Sequence, residues 1–198
     1  MKRMEKRGLV VAVALTAACA SAPRPPRWIP AAGDYTAQSG RFTVRLPNGW
    51  MLHPETDSLI ASRDGVFLQR IDVRTHEVGK PLGSTKKVFA RGMLPQEAAE
   101  VVQDAIVSSP GMQGASLIEN GPAEVAGRPG FKLVFAFKDG DGLKTKAVVY
   151  GVLAGDSFYE LMYRAPERYY FPRDMDTFEA VRASFRISSE VAGARGAQ

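Results

Sequence analysis

The sequence predicts an α+β domain, an antiparallel β-sheet with two main helices packed against it, preceded by an export signal and a flexible linker. Three observations lead there. Phe131, Leu133, Phe135 and Phe137 alternate with Lys132, Val134, Ala136 and Lys138, and period-two alternation marks a strand with one face buried. Two further apolar runs, Leu143 to Leu153 and Phe158 to Tyr163, follow across connections too short for a parallel crossover, so the stretch reads as an antiparallel meander. Helical spacing appears on both sides of it, from Pro95 and again from Asp176.

Along the chain, residues Met1 to Ala18 combine a positive start with an apolar run, Gly8 to Ala18, too short to span a bilayer. This is the pattern of a secretory signal. The run ends Leu15-Thr16-Ala17-Ala18-Cys19, and Cys19 is the only cysteine of the chain. The segment resembles a bacterial lipobox, in which the cysteine becomes the acylated N-terminus, although Thr16 stands where leucine is commonest. The other reading is an ordinary signal peptide cleaved near Ala18-Cys19-Ala20, which leaves an incidental thiol. The lipobox resemblance implies a membrane anchor, and Ala20 in place of aspartate implies outer-membrane sorting, facing the periplasm. With a single cysteine no intramolecular disulfide can form.

Lys2, Arg3, Lys6 and Arg7 against Glu5 contribute +3 of the formal charge of +5, leaving +2 from Cys19 onward. So weak a basic balance gives no support to nucleic-acid binding. From Ala20 to Ser39 the chain holds Pro23, Pro25, Pro26 and Pro30 with little apolar content, the composition of an extended tether. Trp28 and Ile29 are its only large apolar residues, free to dock on the domain or to touch lipid headgroups; a plain linker with incidental docking is the preferred reading.

The folded part opens at Arg41, where Phe42, Val44 and Leu46 alternate with Arg41, Thr43 and Arg45. Leu59 to Ser62 and Val66 to Arg74 read as a hairpin across Arg63-Asp64-Gly65, with Ile71 and Val73 on one face and Arg70, Asp72 and Arg74 on the other. A loop from Glu77 to Lys87 leads to the major helix. Proline is tolerated in a first helical turn, so this helix starts near Pro95, and Pro110-Gly111 ends it after about Ser109. Its apolar stripe, Ala98, Val102, Ala105 and Ile106, suits packing on a sheet. Ser116 to Glu119 and Ala123 to Val125 read as short strands separated by Asn120-Gly121-Pro122. Asp176-Thr177-Phe178-Glu179 has an aspartate placed to cap the last helix, which buries Phe178, Val181 and Phe185. The expected organisation is 1–18 signal peptide, 19–39 lipidated N-terminus and tether, 40–187 folded domain, and 188–198 disordered tail.

No residue pattern signals catalysis. His53 and His76 fall in different predicted connections, too few ligands for a common zinc site. There is no G-x-S-x-G elbow, P-loop or dinucleotide fingerprint, so neither a metal nor a cofactor is expected. Asp139-Gly140-Asp141-Gly142 invites a calcium reading, but the remaining ligands of an EF-hand are missing and a hairpin turn explains it better. The segment Arg164-Ala165-Pro166-Glu167-Arg168-Tyr169-Tyr170-Phe171-Pro172-Arg173 has the composition of a contact surface, since arginine and aromatic residues are enriched in binding hot spots. Arg164, Arg168, Tyr169, Tyr170, Phe171 and Arg173 are therefore the candidate partner contacts. The plainer reading, which is preferred, has Tyr170 and Phe171 capping the open end of the core.

A strand ending Leu46-Pro47-Asn48-Gly49-Trp50, a hairpin, an amphipathic helix, a meander and a last helix finishing Ala183-Ser184-Phe185 follow one another in an order that resembles the PsbP and DcrB-like small α/β domains. The resemblance covers about Arg41 to Ile187. It implies helices packed on an antiparallel sheet, often in exported proteins or lipoproteins, used for binding or assembly rather than for a shared chemistry. The functional expectation is an envelope lipoprotein presenting a non-catalytic binding domain to an envelope protein or a small ligand. An enzyme with an unrecognised active site, or a structural assembly factor, is the alternative.

Overall fold

The computed structural model describes residues 28–188. The expected signal peptide, Cys19 and nearly all of the expected tail lie outside them. In chain order the elements are β1 (Ile29–Pro30), β2 (Gly33–Thr36), β3 (Phe42–Leu46), β4 (Met51–Pro54), β5 (Ser58–Ser62), β6 (Arg70–Glu77), α1 (Pro95–Val107), β7 (Gln113–Val125), β8 (Arg128–Lys138), β9 (Lys144–Ala154), β10 (Ser157–Pro166), α2 (Tyr170–Ser184) and β11 (Arg186–Ile187). Eight strands form one antiparallel sheet in the order β1-β4-β5-β6-β10-β9-β8-β7, and a small sheet has the order β11-β3-β2.

The expected meander, β8 to β10, occupies the interior of the large sheet between β6 and the edge strand β7. Its connections are tight for the reasons the sequence suggests. Asp139 Oδ1 accepts the N–H groups of Asp141 and Leu143 at 3.1 and 2.9 Å, so that carboxylate is engaged in closing its own turn. The two faces of the sheet bury two separate cores. Phe131, Leu133, Phe135, Val149, Phe158 and Met162 pack under α1 with Phe89 from the loop before it. Val148, Tyr150, Leu161 and Tyr163 face the other way, onto α2 and the small sheet with Phe42, Phe178 and Phe185. Burying both faces is what makes β9 and β10 almost continuously apolar.

Gly151 has a reason to lack a side chain. A Cβ there would stand 2.3 Å from Phe131 Cζ and 2.7 Å from Phe158 Cζ, two rings whose centroids lie 6.0 Å apart across β9. The glycine lets the rings of β8 and β10 close over the strand between them.

Three expectations need correction. The segment read as a linker with incidental docking, 19–39, is part of the fold from residue 29: β1 pairs with β4 and β2 with β3. Ala31 donates to the Trp50 carbonyl at 2.8 Å and Ala37 to that of Phe42 at 3.0 Å, and both alanines are buried. Proline is admissible because β1 is an edge strand. Secondly, Asn120-Gly121-Pro122 interrupts nothing. β7 runs through it as the other edge, where Pro122 needs no outward partner, and its irregularity is confined to register shifts at Gln113/Ser116 and Leu117/Glu119. Thirdly, α2 starts at Tyr170, six residues before the expected Asp176 cap. Pro172 then falls in the first turn, where its missing N–H would have no helical acceptor anyway.

Candidate functional site

The early start of α2 decides the fate of the aromatic segment. Tyr170 and Phe171 lie in the first turn of α2 and pack against the core. The Phe171 ring stacks on Tyr163 at 5.6 Å, and the Tyr163 hydroxyl donates to the Tyr170 carbonyl at 2.7 Å. Arg173 is tied down as well: it bonds Asp174 at 2.8 Å and Asp64, and its guanidinium lies over the rings of Tyr169 and Tyr170 at 5.2 and 4.7 Å. Of the six candidate contacts, Arg168 and Tyr169 are the ones turned to solvent. The preferred reading of Tyr170 and Phe171 as core caps accounts for their packing.

Asp174 is the hub of this corner. Its buried carboxylate takes Arg63 on Oδ1 at 2.9 Å, while Arg173 and the Gln69 amide both donate to Oδ2. A carboxylate out of water needs such partners; Arg63 and Gln69, together with the Arg173–Asp64 pair, join the β5–β6 turn to the helix.

Arg164 does not belong with the rest of the segment. It sits on β10 opposite Arg70 of β6, two places along from Met162 opposite Asp72 and four from Glu160 opposite Arg74. Since side chains two apart share a face, these residues look out on the α1 side of the sheet. Helix α1 packs on β7, β8 and β9, so beyond it on the same face the charged residues of β6 and β10 gather between the buried Phe158 and Met162 and the uncharged Ser58 and Ile60 of β5. Sequence reading put Arg70, Asp72 and Arg74 together on one face but assigned them no site, and it missed Glu160. The detectable signal was an acid placed inside the apolar run Phe158 to Tyr163.

The charges on this face are unevenly matched. Asp72, fully buried, receives Arg70 Nε at 2.8 Å and Arg74 at 3.0 Å. Arg164 makes no ion pair among the described residues; burial, then the nearby Arg70 charge, pulls its pKa below the ordinary guanidinium value. Glu160 is 6% exposed, and its carboxyl group has no hydrogen bond among the described residues. Burial pushes its pKa up to about 7, the Arg74 charge opposes that rise, and Asp72 adds to it. Next to this pair, His76 stacks on Phe158 at 6.0 Å with Nε2 buried and unpartnered. Burial, helped by Arg74, draws its pKa down to about 4, so the ring is neutral at physiological pH. The face thus presents a half-buried guanidinium without a counter-ion at one end and a poorly solvated carboxyl group at the other. Such a surface recognises a charged partner by complementary pairing.

No family model and no curated protein sequence matches this chain. Solved structures do match its fold. Cyanobacterial PsbP (CyanoP) from Synechocystis superposes with a TM-score of 0.53 at 16% identity, over 78% of this chain and 91% of that one. The Ran-binding protein Mog1p of Saccharomyces cerevisiae gives 0.51 at 10% identity, over 78% and 94%. A protein of Bacteroides thetaiotaomicron gives 0.51 at 14% identity, over 81% of this chain and 50% of its own. The chain has the PsbP-like fold that the element order resembles, and at these identities the likeness concerns the fold alone.

Proposed function

We propose that this chain is a bacterial envelope lipoprotein, anchored through Cys19, whose PsbP-like domain binds an acidic partner noncovalently on the polar half of its sheet. The observation that carries the binding reading is Arg164. Asp72 already serves Arg70 and Arg74, so a third guanidinium beside them lacks a carboxylate, and an acidic group from a partner would supply it at lower desolvation cost than a fully exposed pair. The envelope reading rests on the Leu15-to-Cys19 segment. It agrees with the described residues containing no helix long and apolar enough to cross a membrane.

The test is cross-linking and mass spectrometry of the protein purified in mild detergent, comparing wild type with Arg164→Met. Methionine keeps the aliphatic packing and removes the charge. A partner captured by wild type and lost from Arg164→Met, through a peptide rich in aspartate or glutamate, is the expected result. Equal capture by both forms would remove Arg164 from the interface.

A further inference from the structure

Five of the exposed large apolar or aromatic side chains gather at one end of the molecule. It is the end at which β5 and β10 finish, since Met51 pairs with Ser62 and Arg70 with Arg164 near the same strand ends. Phe67 is 87% exposed there, Tyr169 63%, Met51 38%, and Trp28 and Ile29 37% each. Trp28, Met51, Val66 and Phe67 share a groove of about 310 Å³ with Arg63 on its rim.

The exposure of Phe67 is enforced by the turn that carries it. Ser62 Oγ accepts the Gly65 N–H at 3.0 Å and donates to the Gln69 carbonyl at 2.8 Å, and the Leu68 N–H closes on Gly65 at 3.0 Å. Arg63, Asp64 and Gln69 all join the Asp174 cluster described above. A turn braced from both ends holds its one phenylalanine in water beside Trp28, Met51 and Val66, and a contiguous apolar patch kept exposed in this way marks an interaction site. Tyr169 is linked to the same turn through Arg173, which bonds Asp64 and stacks on the tyrosine ring. Arg168 and Lys144, exposed at the same end, are in no salt bridge among the described residues.

We infer that this aromatic, cation-rimmed end lies on the headgroup region of the bilayer that holds the anchor. The inference rests on the lipoprotein reading, and the place where the chain enters supports it. Trp28 is nine residues after Cys19, a reach of at most about 30 Å even fully extended, and it enters on the patch itself. Tryptophan, tyrosine and basic side chains are the types that settle at a membrane–water interface, with ring or stem in the apolar boundary and polar ends in the headgroups. Anionic lipid would complement Arg168 and Lys144, since Arg63 is engaged by Asp174 and Asp64. In this pose the polar half of the sheet stands beside the membrane and close to its surface.

The test uses Trp28 as its own reporter. The chain has two tryptophans, and Trp50 is 2% exposed, so a lipid-borne quencher reports on Trp28. Mature protein purified from its host is mixed with vesicles of brominated phosphatidylcholine and phosphatidylglycerol, while mass spectrometry of its N-terminal peptide reports whether Cys19 carries lipid. The expected result is quenching of the exposed fluorophore, lost in Phe67→Ser and in Met51→Ser, whose side chains lie outside the core. Acylated protein with unquenched Trp28 overturns the docking and spares the anchor. Unacylated protein that is still quenched refutes the anchor and upholds the docking; unacylated and unquenched protein refutes both. Self-association that shields Trp28 equally without vesicles also overturns the inference, by making a second copy the occupant.

Discussion

Replacing Glu160 by glutamine should stabilise the protein at neutral and alkaline pH and leave it nearly unchanged in mild acid. The folded pKa of about 7 stands above the ordinary carboxyl value of 4.5, so the folded state holds a proton that the unfolded chain releases. A raised acid pKa contributes its stability below about pH 4.5 and loses it as pH rises through 7. At about 1.4 kcal/mol per pH unit of displacement, the difference between 4.5 and about 7 amounts to roughly 3 kcal/mol. Glutamine does not titrate, so the variant should pull ahead of wild type by about that amount between pH 4.5 and 8, or roughly 6–12 °C in Tm for a chain of this size. His76 provides an internal control of opposite sign. Its folded pKa of about 4 lies below the ordinary 6.5, so its effect is a loss of stability as pH falls from 6.5 to 4. In wild type the two slopes oppose each other between pH 4.5 and 6.5 and give a nearly flat profile. Urea unfolding followed by tryptophan fluorescence across this range should show stability rising with pH in Glu160→Gln and falling with pH in His76→Asn. A gap between Glu160→Gln and wild type that is the same at pH 4.5 and pH 8 would refute the claim that Glu160 is held poorly solvated.

Two further outcomes are expected. Gly151→Ala places a methyl group inside the Phe131 and Phe158 rings, and overpacking of this kind should cost about 1–3 kcal/mol, read as a lowered urea midpoint with an unchanged slope. Cys19→Ser should release the domain from membranes on fractionation; a variant retained as fully as wild type would defeat the anchor.

The meander was legible because its side-chain period, its turn residues and its burial agree with one another; Phe131 to Phe137 need one face in the core, and they have it. The strand edges were harder to read. Pro30 and Pro122 look like chain breakers in one dimension, and only the sheet order shows that each lies on an outer strand with no neighbour to disappoint. The start of α2 was misread for a related reason, since Asp176 satisfies a local capping rule while Asp174, two residues earlier, is claimed by Arg63 and Gln69 from a turn more than 100 residues away. Long-range pairing of that kind leaves no local trace. The candidate site is split in the same way. Arg164 was picked out with its neighbours in sequence, but strand alternation turns it from them and toward Arg70, and Glu160 was hidden by the apolar residues around it.

The position of β1 has a mechanical consequence. The chain arrives from the N-terminus at the outermost strand of the large sheet, held to β4 by two residue pairs, and next at β2, an outer strand of the small sheet. A pull on the N-terminus therefore loads these two outer strands one after the other, opening their bonds like a zipper rather than shearing the whole ladder at once. Releasing 29–37 would pay out about 30 Å of extra leash while β8, β9 and β10, buried on both faces, stay folded. In single-molecule stretching this would be a small early step well below the force of global unfolding, and a single high-force rupture with no such step would contradict it. The first residues of the domain would then act as a yielding link between a pulled N-terminus and a stiff body.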